Sequence, residues 1–316
     1  EYIVKGKDYM KIGVIGIGAL GGYLSTMLCK AYNEVYIISD GEKMKNIIEN
    51  GITLNSDIHG KFNVHPHMVT NNPYNVGIVD VMFVCVRGSS LKSVARLIKP
   101  MIGDYTVVVP LGCGVDSGTR LFSYLNKGKI LESVAYIRAR SLETGVIFHK
   151  NSSTRFIISS NKRRPVYDIN LEIVQNILIK SGINCEIRED VEAEAWNRYV
   201  FNCAFNITDS YYDVGVKGIL EDRMKFETFC KIAKECESIG RSKGVNLHKN
   251  IYKATIDYLK KLSKWTISSM HNDIIHGRRI EIEQYCYDLC RMGEETGIST
   301  PYIKMACNKL KVLQTV

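Results

Sequence analysis

The segment KIGVIGIGALGG, residues 11–22, constrains the fold more than any other part of the chain. A β-branched run ends at Gly16, the pattern G-x-G-x-x-G continues through Gly18 and Gly21, and a helical segment begins near Leu20. In this strand–turn–helix setting the first glycine permits a tight turn, the second lets backbone approach a pyrophosphate, and the third allows close helix–strand packing. The N–H groups at the helix start would face that anion. The pattern predicts dinucleotide binding at Gly16, Gly18, Ala19, Leu20 and Gly21; the alternative is a merely flexible turn.

The first half of the chain alternates strand-like runs with helical segments. The runs are KIGVIGI, EVYIIS, VDVMFVCV and TVVVPL, with helices from Leu20 and near residues 91–98. This rhythm predicts an α/β domain with a parallel sheet and crossover helices. Further strand-like segments are SVAYIRA, GVIFHK, RFIISS and NCEIRE, with a helical stretch near 167–180.

Strand signals stop after about residue 189, and the remaining chain is helical in pattern. The helical segments are AEAWNRYVFNCAFNI, MKFETFCKIAKECESIGRSKG, a run near 252–272, and EIEQYCYDLCRMGEETG. We therefore predict a dinucleotide-binding domain over residues 1–188 and a helical substrate domain over 189–316, meeting at a cleft. Residues 1–9 are polar and basic, unlike a signal peptide, and are a candidate extension before Met10.

Composition excludes several classes of protein. Hydrophobic residues make up 45% of the 316, and no apolar run is long enough to span a bilayer. The net charge is +9, but basic residues are scattered, which disfavours nucleic-acid binding and favours a general attraction for small anions. The ten cysteines include no CxxC pair and lie mostly in apolar surroundings, so we expect buried thiols, no metal site and a cytoplasmic location.

Asp40 follows the strand EVYIIS, where a dinucleotide fold places the group that reads the adenosine ribose. A carboxylate there accepts hydrogen bonds from the ribose hydroxyls and repels a 2′-phosphate. The alternative is a turn-forming aspartate before Gly41. Lys43 and Lys45 could contact a phosphate instead, so both NAD(H) and NADP(H) stay open as cofactors.

A polar stripe crosses the apolar segment RYVFNCAFN. Arg198, Asn202 and Asn206 are four residues apart and therefore share one helix face. They form either a solvated edge or a binding face, and the spacing alone does not decide between them.

Three segments together resemble the ketopantoate reductase (2-dehydropantoate 2-reductase) family, over nearly the whole chain from Met10 to Leu313. They are KIGVIGIGALGG, WNRYVFNCAFN, and SSMHNDIIHGRRIEI. The resemblance implies a Rossmann-type domain followed by an all-helical domain like the C-terminal domain of 6-phosphogluconate dehydrogenase. It also implies hydride transfer from a nicotinamide to ketopantoate, giving pantoate for pantothenate and coenzyme A synthesis.

The resemblance also assigns roles within the helical half. It places Asn202 and Asn206 on the substrate, Ser269 near its carboxylate, and Glu281 against its hydroxyl. Glu281 lies twelve residues beyond Ser269 and would face away on one straight helix, but Gly277 offers a break. The alternative for Glu281 is a solvated glutamate in the charged run RRIEIE.

Three positions depart from the family pattern. Arg198 replaces the catalytic lysine, Arg87 replaces a cofactor-side lysine, and Cys113 replaces the asparagine of an Asn-Gly turn. Arginine keeps the positive charge but effectively cannot release a proton. The expectation is a reductase of 2-keto acids, led by ketopantoate; the alternatives are an opine or hydroxy-acid dehydrogenase and a silent nucleotide sensor. The sequence leaves the oligomeric state open, with a homodimer among the options.

Overall fold

The computed structural model describes residues 10–112, 114–150, 154–161 and 165–314. The chain divides into a first unit ending at Val191 and a second starting at Glu192. The candidate extension, residues 1–9, and Cys113 lie outside the described residues.

Strands occur only in the first unit of the described chain. They are β1 (Ile12–Ile15), β2 (Val35–Ile38), β3 (Ile52–Ser56), β4 (Gly60–Val64), β5 (Met68–Thr70), β6 (Val81–Val84), β7 (Val107–Pro110), β8 (Lys129–Tyr136), β9 (Ala139–Glu143), β10 (Val146–His149), β11 (Arg155–Ser160) and β12 (Asn184–Ile187).

Helices cover both faces of this sheet region and make up the second unit. They are α1 (Ala19–Ala31), α2 (Gly41–Asn50), α3 (Leu91–Ile98), α4 (Ser117–Leu125), α5 (Asp168–Lys180), α6 (Val191–Tyr212), α7 (Gly215–Glu221), α8 (Arg223–Ser242), α9 (Ile251–Lys261), α10 (Ser269–Ile275), α11 (Asp288–Thr296) and α12 (Pro301–Leu310).

The main sheet has eight strands in the order β12-β11-β8-β7-β6-β1-β2-β5. From β5 to β8 every pairing is parallel, as the alternating pattern predicts, whereas β8 and β11 pair antiparallel. Counted without the β3–β4 hairpin, the parallel part has the 3-2-1-4-5-6 order of a dinucleotide-binding fold. The strand order reverses between β1 and β6, so the loop after β1 lies at the topological switch point where such folds bind ligands.

A second, four-stranded sheet, β4-β3-β10-β9, was not predicted as a separate sheet. The segment GVIFHK does form a strand, β10, but it pairs with β3 and β9 instead of joining the main sheet. Ile147 of β10 packs beneath Gly22 of α1, where an added Cβ would lie 2.4 Å from the isoleucine Cδ1. The small sheet therefore packs against the helix that follows the glycine loop.

The second unit is all-helical in the described residues, as predicted. Trp196 and Phe229 are fully buried there. The predicted helical run at 252–272 is wrong in its middle, because α9 ends at Lys261 and a new helix starts at Ser269. Ser268 caps that new helix, its hydroxyl accepting the His271 N–H at 3.2 Å. No helix in the described part of the chain combines the length and apolar character that crossing a membrane requires.

Candidate functional site

The glycine loop of the first unit has the geometry that its sequence predicts. Gly16 has φ +95°, a conformation that side chains rarely adopt, and an added Cβ would lie 2.4 Å from the Cys85 carbonyl oxygen. At Gly21 an added Cβ would lie 1.9 Å from the Gly16 carbonyl oxygen. These two glycines are therefore required by the packing of the loop against β6 and α1.

Gly18 is different, because nothing lies within 4 Å of the position its Cβ would take. Its backbone is extended (φ −94°, ψ −159°), so no strain explains a glycine here. Gly18 is the N-cap of α1, no side chain caps that end, and its first turn, Ala19 and Leu20 included, holds no acidic residue. An open space at a helix N-terminus fits a bound pyrophosphate.

Asp40 is exposed and is the N-cap residue of α2, immediately beyond β2. Its side chain makes no capping hydrogen bond to that helix. The start of α2 therefore does not hold the Asp40 carboxylate. Lys43 and Lys45 are exposed on the same helix.

Arg87 is exposed and follows β6, the neighbour of β1 in the sheet. The carboxyl ends of parallel strands meet at one edge, so Arg87 follows a strand that ends beside the glycine loop. In the described ranges, no group of three or more His, Cys, Asp or Glu residues is arranged to hold a metal ion.

In the second unit, Asn206 joins the two family-like motifs. Its Oδ1 accepts the Ser269 hydroxyl and the Met270 N–H, both at 3.0 Å. Its Nδ2 donates to the Asn202 carbonyl oxygen at 2.8 Å. Asn206 is only 4% exposed, so this end of the polar stripe is not a solvated edge. One N–H of its amide is left to contact a ligand.

A break at Gly277 separates α10 from the segment that carries Glu281. α10 ends in a Schellman motif, in which the Arg278 N–H reaches the Asp273 carbonyl at 2.8 Å and the Gly277 N–H reaches that of Ile274 at 3.0 Å. Gly277 has φ +60°, which favours glycine. The expected break is therefore present.

Tyr285 connects the predicted residues and was missed by sequence reasoning. Burial raises the pKa of its phenol and the Glu281 charge raises it further, while a hydrogen bond with Ser269 and the positive charge of Arg198 lower it. Arg198, Ser269 and Glu281 thus all act on one buried hydroxyl. No sequence signal marked Tyr285, since an aromatic residue on a helix is normally core.

A second missed group continues the polar stripe beyond Asn206. Asp209, fully buried, accepts the Gly215 N–H at 2.6 Å and the Ser268 N–H at 2.5 Å. The His271 ring lies between two carboxylates, with Nδ1 2.9 Å from Asp209 and Nε2 2.5 Å from Asp213. Asp209 and Asp213 lie three and seven residues beyond Asn206, and this helical spacing is the signal that could have found them. They fix the segment that carries Ser269.

The second unit carries a cation, hydroxyls, amides and a carboxylate in its family-like motifs. Such a set can bind a small organic acid and stabilise negative charge on a neighbouring oxygen. The first unit supplies the features of a dinucleotide site.

Comparison with known proteins agrees with these features. Residues 12–162 match the family model "Ketopantoate reductase PanE/ApbA", and residues 190–314 match its C-terminal counterpart. A 2-dehydropantoate 2-reductase from Mesorhizobium japonicum is 24% identical, covering 93% of this chain and 94% of that protein.

Two solved structures show the same fold. The PanE/ApbA family ketopantoate reductase from Ralstonia eutropha JMP134 superposes with a TM-score of 0.85 at 22% identity, covering 96% of this chain and 98% of that one. A D-mandelate dehydrogenase solved with NADH and anilino(oxo)acetate gives 0.83 at 18% identity, covering 96% and 98%. Because the two family models together span most of the chain, the protein belongs to the ketopantoate reductase family of NAD(P)-dependent oxidoreductases.

Proposed function

We propose that the protein reduces 2-dehydropantoate (ketopantoate) to pantoate with NAD(P)H, a step of pantothenate and coenzyme A synthesis. The observation that carries the proposal is the hydrogen bond from Ser269 to Asn206, which ties the two family-like motifs of the second unit together. Arg198 and Glu281 both act on the phenol beside that hydrogen bond.

A bound dinucleotide would be held by Gly16, Gly18, Ala19, Leu20, Gly21 and Asp40, with Arg87 expected at its nicotinamide side, and it would supply the hydride. Cys113, which the family pattern assigns to the same side, lies outside the described residues. Asn202 and the remaining Asn206 N–H contact the substrate and orient it, with Ser269 near the substrate carboxylate. Glu281 accepts a hydrogen bond from the substrate hydroxyl. These roles follow the family pattern residue by residue.

Arg198 has a narrower role than the lysine it replaces. A guanidinium with a pKa above ~12 does not donate a proton at neutral pH. It does stabilise negative charge developing on the ketone oxygen, and one well-placed donor of this kind contributes on the order of 10²–10³-fold. We therefore assign Arg198 electrostatic stabilisation without proton transfer.

A second candidate is reduction of another 2-keto acid. The substitutions at Arg198, Arg87 and Cys113 favour it, and the fold shared with D-mandelate dehydrogenase supports it. The two candidates share the dinucleotide and the carboxylate-binding residues and differ in the group attached to the ketone.

Oxidation of NADH and NADPH with a panel of 2-keto acids tests the proposal. We expect ketopantoate to give the highest kcat/KM and Arg198→Ala to abolish most turnover while cofactor binding by calorimetry is kept. A higher kcat/KM for another keto acid would favour the second candidate. Cofactor binding without turnover on any acid would point to a nucleotide sensor.

A further inference from the structure

Two side chains of α6 hold the start of α10. Asn206 accepts the Ser269 hydroxyl and the Met270 N–H, both at 3.0 Å. Asp209, three residues further along α6, accepts the Ser268 N–H at 2.5 Å. Residues three positions apart on a helix are neighbours, with Cβ atoms about 5–6 Å apart. A carboxyl group therefore stands within one helical turn of the amide expected to contact the substrate.

The Asp209 carboxyl group is ionised in this arrangement. Its side chain is fully buried and accepts the Gly215 N–H at 2.6 Å as well as the Ser268 N–H at 2.5 Å. Two backbone donors aimed at one carboxyl group favour its ionised form. A buried charge is costly unless an opposite charge lies beside it. The buried Asp209 carboxylate therefore calls for a neighbouring cation.

The His271 ring supplies that cation. Its Nδ1 lies 2.9 Å from Asp209 Oδ1, and its Nε2 lies 2.5 Å from Asp213 Oδ1. A carboxylate oxygen only accepts hydrogen bonds, so each ring nitrogen that faces one carries a proton. A ring with protons on both nitrogens is an imidazolium. His271 is 5% exposed, so water and salt screen its charge only weakly.

Asp213 reaches the ring from the turn that ends α6. Its φ of +58° is left-handed, a conformation that aspartate and asparagine adopt more readily than most residues. Its N–H donates to the Asp209 carbonyl at 2.8 Å. The turn thus carries a second carboxylate to His271, and asparagine could replace Asp213 there without added strain.

We propose that His271 is a buried cation that offsets the charge of Asp209 beside the substrate carboxylate and so sets the affinity of the site for anionic substrates. This inference rests on the proposed function, in which Asn206 contacts the substrate and Ser269 lies near its carboxylate. Asp209 fixes the backbone next to Ser269, but its charge alone would repel a 2-keto acid. His271 acts as a specificity-determining residue and does not touch the reacting atoms.

The charge of the ring is tested first, in the parent protein without substrate. Nitrogen-15 NMR of the histidine rings, with His271→Gln identifying the His271 signals, reports which ring nitrogens carry protons. We expect both nitrogens of His271 to be protonated at neutral pH. A ring with one unprotonated nitrogen would overturn the inference, whatever the substrate is.

Pantoate and its uncharged amide then separate charge from structure. His271→Gln keeps an N–H for Asp209 and removes one unit charge. At ~8–12 Å from the substrate carboxylate, with an effective dielectric constant of about 20, this change should weaken pantoate binding roughly 10- to 30-fold. Binding of the amide should change less than about twofold, and kcat at saturating ketopantoate less than about threefold. His276→Gln, exposed at the end of the same helix, is the matched control and should keep the parent's affinities.

Asp213→Asn provides a test in the opposite direction. Its side chain is 81% exposed, so the variant should fold even if His271→Gln does not. It removes a negative charge and should strengthen pantoate binding about two- to fivefold, a small effect because solvent screens an exposed charge.

Two results would overturn the inference and leave the reductase assignment intact. One is an equal loss of pantoate and amide binding in His271→Gln, which would indicate a structural role. The other is unchanged or weaker pantoate binding in Asp213→Asn. A parent that neither binds pantoate nor reduces any 2-keto acid would instead overturn the proposed function, and the NMR measurement distinguishes this case because it needs no substrate.

Discussion

Gly18 and Gly21 provide a matched pair of substitutions that separates ligand binding from folding. Gly18→Ala places a Cβ where nothing lies within 4 Å and where the extended backbone accepts any residue. Gly21→Ala places a Cβ 1.9 Å from the Gly16 carbonyl oxygen and 2.9 Å from Cys85 Cβ. The same added methyl group is therefore free in one case and blocked in the other.

The expected magnitudes differ accordingly. Gly18→Ala should change the free energy of unfolding of the free protein by less than about 0.5 kcal/mol. It should cost at least one hydrogen bond to a charged phosphate, ~1.5–3 kcal/mol, or roughly 10- to 150-fold in dinucleotide affinity. Gly21→Ala forces backbone to move, and overpacking of this kind costs ~1–3 kcal/mol or more in stability.

Thermal unfolding without ligand and calorimetric titration with NADH and NADPH make the comparison. We expect Gly18→Ala to keep the parent's thermal midpoint and lose dinucleotide affinity, while Gly21→Ala loses stability. Parent-like affinity in Gly18→Ala would show that the open space beside Gly18 is not where the pyrophosphate binds.

Three other changes have defined outcomes. Asp40→Asn removes a charge that disfavours a 2′-phosphate and should shift the NADPH-to-NADH affinity ratio about 5- to 10-fold toward NADPH. The expected shift is small because Asp40 is exposed and its charge is screened by solvent. An unchanged affinity ratio in calorimetry would mean that Asp40 does not contact the ribose. Glu281→Gln should lower kcat/KM for ketopantoate roughly 10- to 150-fold, since a hydrogen bond to a charged acceptor is weakened, and should leave dinucleotide affinity unchanged; a parent-like kcat/KM would return Glu281 to a solvated surface role. Burial and the charge of His59 lower the pKa of His149, so the folded protein favours the neutral ring. The stability that this ring contributes is present above the ordinary histidine pKa of 6.5 and is lost as pH falls through the lower pKa of the folded state. The free energy of unfolding should therefore fall below about pH 6.5, and less steeply in His149→Gln; equal slopes would exclude His149 as the cause.

The parts of the fold that sequence predicted are those with strong local signals. Glycine is required at Gly16 and Gly21 because an added Cβ would collide with the loop itself or with the residue that follows one neighbouring strand. The break between Ser269 and Glu281 came from Gly277, whose positive φ only glycine adopts readily. Local backbone chemistry was sufficient in both cases.

The parts that sequence did not predict depend on long-range partners. β10 pairs with β3, about ninety residues away, and nothing in GVIFHK distinguishes that partner from the main sheet. The run at 252–272 kept a helical pattern through the segment between the end of α9 at Lys261 and the start of α10, which Ser268 caps. Tyr285 looked like core because its importance lies in Ser269, Glu281 and Arg198, which are distant in sequence or separated from it by a turn.

The central claim is hydride transfer from the dinucleotide to the ketone carbon of ketopantoate. Reduction with a dinucleotide that carries deuterium at both C4 positions of its reduced nicotinamide, followed by mass spectrometry of the product, tests it most directly. We predict pantoate carrying one deuterium on the former ketone carbon, with Arg198→Ala forming little product. Unlabelled pantoate, or no pantoate when the labelled dinucleotide is bound, would contradict it.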